Sequence, residues 1–212
     1  MCTGRVDLEF VLRAFANGAD GVFIGGCRLN ECNYITHGNY HALQMVLLCR
    51  KIMEHIGLNP ERLRIEFMSS GEGIRFAEVV NDFIKKIKEL GPLGTGEGID
   101  KKGLKSKLEA VRNLVPYIKL VERERLRVHF ETEEEYKEFF ASDEVDRLFR
   151  ELILDKLTIN QILSLLRERP LSTGEIAEIL GLSPSEVSRY LNSSAREGLV
   201  RFDEIQKCFV PA

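Results

Sequence analysis

The chain predicts an α/β fold: a small parallel-sheet βαβα domain, a mostly helical region, and a compact helical module ending in two short strands. Three observations lead there. Two short strand-like runs, Gly21–Gly26 and Leu63–Met68, are each followed by a long segment of helical periodicity. A glycine-rich stretch, Gly91–Gly98, then interrupts the pattern. Finally, two Ser-x-x-Glu signatures, at Ser172 and Ser183, fall close together near the end. The expected domains are 1–93, 94–156 and 157–212.

In order, Asp7 is placed to cap a helix whose apolar residues Phe10, Val11, Ala14 and Phe15 share a face, with Asn17-Gly18 as its stop. A strand stub is possible at Cys2–Val6. The run Gly21–Gly26 lacks polar alternation, as a parallel strand covered on both faces does. Asn39 to His55 reads as a helix with Leu43, Val46, Leu47 and Met53 inward and Gly57 ending it. Cys49 within it reads as a packed core thiol. Pro60 turns the chain into the alternating strand Leu63–Met68, and Ile74–Leu90 closes the unit with a stripe of Phe76, Val79, Val80, Phe83 and Ile87. Two strands make a thin sheet that leaves apolar helix surface exposed.

Gly91–Gly98 reads as a linker; no Gly-Lys-Ser/Thr follows it, so a phosphate-cradling loop is a poor fit. Lys101–Val121 is an amphipathic helix with Leu104, Leu108, Val111, Leu114 and Ile118 on its apolar face, and Pro116 is an expected interruption. Leu126–Phe130 has the composition of a short strand, and the acidic run Glu131–Glu135 that of a helix start.

The 212 residues carry a net charge of −3, which argues against a dedicated binder of nucleic acid or anionic membrane. No apolar run approaches the roughly 18 residues that span a bilayer, so a soluble, cytoplasmic protein is expected. Five cysteines, an odd number, suggest metal or redox use in a reducing compartment rather than a disulfide framework.

Cys27 and Cys32 follow the first strand, where open α/β sheets gather ligands, and Cys2 has a similar setting. Their thiolates can hold zinc or an iron–sulfur cluster, though three half-buried cysteines can equally pack as small hydrophobes. His37 and His41 lie nearby, four residues apart, and read as neighbours of such a site more readily than as ligands.

The motifs Cys2-Thr3-Gly4-Arg5-Val6-Asp7, Gly18-Ala19-Asp20-Gly21-Val22, Gly26-Cys27, Glu31-Cys32-Asn33-Tyr34, His37-Gly38-Asn39-Tyr40 and Gly57-Leu58-Asn59-Pro60-Glu61-Arg62 occur in this order. Ser70-x-Glu72-Gly73-x-x-Phe76-Ala77-Glu78-Val79-Val80 completes the set. Through about Leu93 the chain resembles the delta subunit family of methyl-viologen-reducing hydrogenase. The resemblance implies an electron carrier, not a stand-alone catalyst, with no catalytic side chains. It implies a 2Fe–2S cluster with Cys2, Cys27 and Cys32 as ligands, and partners in a hydrogenase or formate dehydrogenase and a heterodisulfide reductase. Family members carry an upstream segment with its own strand and further cysteines, to which this chain has no counterpart; the ligand set then needs upstream sequence or a partner. Ser70, Gly71 and Gly73 would lie beside the cluster, their small size freeing amides to bond its sulfurs.

From Leu157 the two capping boxes, Gly181 and two closing strands resemble a winged helix-turn-helix. Ser185, Ser188, Arg189 and Asn192 are the candidate nucleic-acid contacts. The module carries six basic against seven acidic side chains, and Asp203 and Glu204 sit in the wing, so docking to protein is as good a fit as DNA. Two alternatives therefore stand beside the electron carrier: a metal- or redox-sensing transcriptional regulator, and a cluster-free scaffold subunit.

Overall fold

The computed structural model describes residues 2–34 and 37–212. The chain divides into two compact units, Met1–Arg147 and Leu148–Ala212.

The first unit opens on a single 3₁₀ turn, Thr3–Arg5, where a strand stub was expected. Helix α1 (Leu8–Ala16) follows, capped by the Asp7 carboxylate on the Glu9 amide at 3.0 Å. Its buried residues are Leu8, Val11, Leu12 and Phe15. Phe10, assigned to the inner face from its spacing, is 52% exposed. Strand β1 (Val22–Gly26) pairs in parallel with β2 (Leu63–Phe67), Val22 opposite Leu63 and Gly26 opposite Phe67. Between them runs α2 (Asn39–His55), ended by Gly57 in a positive-φ conformation. Cys49 is fully buried in α2, and desolvation pushes its thiol up to about 12. Leu47, expected inward, is only half-buried.

Helix α3 (Gly73–Leu90) departs most from its sequence pattern. Of its apolar stripe only Phe83 is buried; Val79, Val80 and Ile87 are half-covered and Phe76 is 50% exposed. The stripe is real, but a two-stranded sheet offers too little surface to cover it.

The glycine-rich stretch read as a linker is pinned in place. The buried Arg62 guanidinium reaches the Glu97 carboxylate at 2.5 Å and donates to the carbonyls of Asp20, Gly91 and Leu90 at 3.0, 2.8 and 3.2 Å. The first unit therefore runs on through α4 (Lys101–Val121), which packs on α1 with Arg112 paired to Glu9 at 2.8 Å and Lys119 paired to Asp7. Pro116 does not interrupt α4.

Leu126–Phe130 forms no strand. Glu122–Leu126 is a π-helical turn, and the next residues are irregular. The Gln44 side-chain amide replaces the missing ladder, donating to the Val128 carbonyl at 2.9 Å and accepting from its amide at 3.2 Å. The acidic run starts α5 (Glu133–Phe140) through a Thr132–Glu135 capping box, and α6 (Asp143–Phe149) follows.

The second unit contains a π-helical stretch at Arg150–Leu154, α7 (Asp155–Glu168), α8 (Thr173–Leu180) and α9 (Pro184–Arg196). Its hairpin consists of β3 (Val200–Asp203) and β4 (Cys208–Pro211), paired antiparallel. Both serine capping boxes form, with Ser172 and Ser183 accepting from Glu175 and Glu186 amides. Ile162, Leu166, Leu171, Ile176, Val187, Leu191 and Val200 make the core. This is a winged helix-turn-helix.

Candidate metal centre

The site lies where β1 ends. Residues after Gly26 leave the sheet as a loop bearing Cys27 and Cys32, and the amino-terminal turn folds beside it as the Thr3 hydroxyl donates to the Gly25 carbonyl at 3.0 Å. Cys2 and Cys32 sulfurs stand 3.7 Å apart. Two thiolates on one tetrahedral metal at about 2.3 Å each stand about 3.8 Å apart, so this pair has the separation of co-ligands. Close backbone approach makes the arrangement possible: a Cβ on Gly38 would collide with the Cys32 sulfur, and one on Gly4 with the His37 carbonyl.

Cys32 is buried, Cys2 half-buried and Cys27 exposed. Burial raises the Cys32 thiol, but the amides of Tyr34 and Asn39 and the Cys2 and Cys27 thiols outweigh it and hold Cys32 below its ordinary value. Desolvation, followed by the neighbouring Cys32 and Cys2, holds Cys27 above its own. The two thiols of the loop are thus shifted in opposite directions by their surroundings.

Three anchors hold the loop. The Asn39 side-chain amide donates to the carbonyls of Cys27 and Arg28 at 2.9 and 2.8 Å and approaches the Cys27 sulfur at 3.7 Å. Tyr40 donates to Asn30, which takes a left-handed φ of 68° in the turn closed from the Glu31 amide to the Arg28 carbonyl. Arg28 grips Glu72 with two bonds of 2.9 and 2.5 Å, and Glu72 accepts from the Ser69 amide at 2.6 Å. Glu72, rather than Ser70, Gly71 or Gly73, connects the second loop to the cysteine loop. Those three make no contact with the sulfurs among the bonds described.

His41 lies 3.1 Å from Arg127 and 3.8 Å from Glu122, and burial pushes its pKa down. Among the described residues no group of three or more His, Cys, Asp or Glu side chains closes around one ion. The donors fit an iron–sulfur group in kind, being soft thiols, but as an incomplete set, since such clusters take four protein ligands. Gly4, Gly38, Asn39 and Glu72 stand in the sequence motifs with no role at the site evident from spacing. Only the Asn39 position, a capping-type residue beside a helix start, carried a signal.

The family model for the delta subunit of methyl-viologen-reducing hydrogenase matches residues 1–91. The vhc iron-sulfur subunit of the F420-non-reducing hydrogenase of Methanococcus voltae is 41% identical over 101 residues, 48% of this chain and 69% of that protein. The chain belongs to this delta-subunit family. The iron-sulfur subunit of the F420-non-reducing hydrogenase of Archaeoglobus profundus is 48% identical over 91 residues, 43% of this chain and 66% of that protein. The same region is 46% identical over 95 residues to a subunit of the ferredoxin/F(420)H(2)-dependent CoB-CoM heterodisulfide reductase of Methanosarcina acetivorans, covering 45% of this chain and 12% of that protein. The chain thus spans about two-thirds of the hydrogenase relatives and about an eighth of the reductase relative.

The model of the arsR family of bacterial regulatory proteins matches residues 158–201. Of the candidate nucleic-acid contacts on α9, Ser185, Arg189 and Asn192 are exposed and Ser188 is half-buried. Arg189 stacks on the Tyr190 ring and lies 3.9 Å from Asp155. Among the described residues, no helix is long and apolar enough to cross a membrane.

Proposed function

We propose that the first unit is a cytoplasmic electron-transfer module in which Cys2, Cys27 and Cys32 hold part of a 2Fe–2S cluster. A further segment or a partner protein completes the ligand set. The observation that carries this reading is the 3.7 Å approach of Cys2 and Cys32 at the carboxyl edge of β1. The cluster supplies one-electron chemistry when bound. The chain's own residues orient the thiols: Gly38 lets the backbone approach Cys32, Asn39 and Glu72 fix the loop, and burial of Cys32 limits water at one sulfur.

The partners proposed are a hydrogenase or formate dehydrogenase on one side and a heterodisulfide reductase on the other. Similarity of one stretch to parts of both a hydrogenase and a heterodisulfide reductase supports those two of the partners. Iron and acid-labile sulfide analysis after anaerobic purification tests the reading. We expect both elements, and loss of visible absorption in Cys27→Ser and Cys32→Ser; retention of iron after both substitutions refutes the ligand assignment.

A second reading, a metal- or redox-sensing regulator, draws on the arsR-family match. The engaged Arg189 and the acidic wing weigh against it. A carrier with a protein-docking winged helix gives no specific mobility shift with DNA at low or moderate salt, whereas a regulator does.

A further inference from the structure

We propose that Asn39 is the positioning residue of the thiol site, holding Cys27 through its side chain. The residue is 1% exposed, in the first turn of α2. An asparagine beside a helix start ordinarily spends its side chain on capping amides. This helix has no side-chain cap bond, and the Asn39 amide points across to the cysteine loop. Its NH₂ group donates to the Cys27 and Arg28 carbonyls at 2.9 and 2.8 Å and lies 3.7 Å from the Cys27 sulfur.

One buried amide therefore fixes the start of the cysteine loop on the exit from β1. Asn39 sits on a long helix whose inner face is packed, so its position is set by α2 and not by the loop. Loop carbonyls that bind a buried amide cannot turn without leaving that amide unsatisfied, which costs more than the bond itself contributes. The side-chain donor aimed at a ligand sulfur also provides an electrostatic lever on whatever the thiolate binds: hydrogen bonds to cluster sulfurs raise reduction potential. A serine removes the NH₂ from the two carbonyls without adding a charge beside the sulfur.

The redox half of this inference rests on the cluster reading above; the positioning half does not. Two measurements on the full chain separate them. In the metal-free, reduced protein, Asn39→Ser, which removes the NH₂ without placing a charge beside the sulfur, is expected to raise the rate of Cys27 alkylation by iodoacetamide about tenfold, the size of a lost hydrogen bond to a polar loop group, read by mass spectrometry with Cys49 as the buried control. In protein reconstituted with iron and sulfide, the same variant is expected to show a lower midpoint potential and an altered visible spectrum at unchanged iron content. Asn39→Leu, which is close in shape, uncharged and keeps the backbone N–H, serves if the serine variant does not fold, and is expected to raise the alkylation rate likewise. A wild-type alkylation rate in a folded variant overturns the positioning role. A wild-type potential and spectrum in a variant holding normal iron overturns the electrostatic role. Wild-type protein that takes up no iron or sulfide refutes the cluster reading and leaves the alkylation result to decide the positioning role.

Discussion

Gly38 is the residue at which the thiol site is least forgiving. Any side chain there meets the Cys32 sulfur and the Tyr34 carbonyl, so Gly38→Ala is expected to cost about 1–3 kcal/mol of stability by overpacking and to lower iron content; denaturant unfolding and metal analysis check both. Glu72 gives a pH signature. The Arg28 hydrogen bonds, followed by the Ser69 amide, lower its pKa to about 2. Because the folded value is depressed, its stabilisation is complete above the ordinary carboxylate range and fades as pH falls toward 2. The stability difference between wild type and Glu72→Gln should therefore be present at neutral pH and vanish at the acid end of a denaturation series. Part of the residue-level chemistry was legible in the sequence: the Asp7, Ser172 and Ser183 caps are local, and sequence states local chemistry well. The role of Asn39 was not, because its partners, Cys27 and Arg28, lie more than ten residues away and only the packing of α2 sets the encounter.

At the scale of elements, α3 and the Gly91–Gly98 loop show where pattern and packing part company. Periodicity gave α3 an inner face, but periodicity records what a helix can bury, not what is there to cover it. Ile74 is 80% exposed whereas Phe83 is buried. Ile74→Ser should change stability by no more than about 0.5 kcal/mol, while Phe83→Ala should cost about 3–5 kcal/mol, both from urea unfolding midpoints. Glycines made the loop look loose; a buried arginine makes it rigid. Arg62→Met leaves the Glu97 carboxylate without its guanidinium, and the loss is expected to be about 3–5 kcal/mol, measured the same way. The strand expected at Leu126–Phe130 failed for a comparable reason: its composition suits a sheet, but its backbone bonds are taken by side chains, those of Gln44 and Tyr136.

At the scale of the molecule, the sequence suggested three segments and the packing forms two units, since α4 is bonded to α1 through pairs more than a hundred residues apart in the chain. Such pairs leave no local trace. The winged-helix unit was easier to read because its capping boxes and turns are short-range. Its core is built around Leu191, wholly buried, so Leu191→Ala should weaken it by about 2–5 kcal/mol, seen as faster amide hydrogen exchange across α7, α8 and α9. The Gln44 amide has one more consequence for the whole protein in a crowded cell. A stretch such as Leu-Arg-Val-His-Phe, with a bare backbone, is the kind of seed on which other chains stack into fibrils. By occupying both polar groups of Val128, one glutamine leaves that residue's backbone with no free group to offer a neighbouring strand.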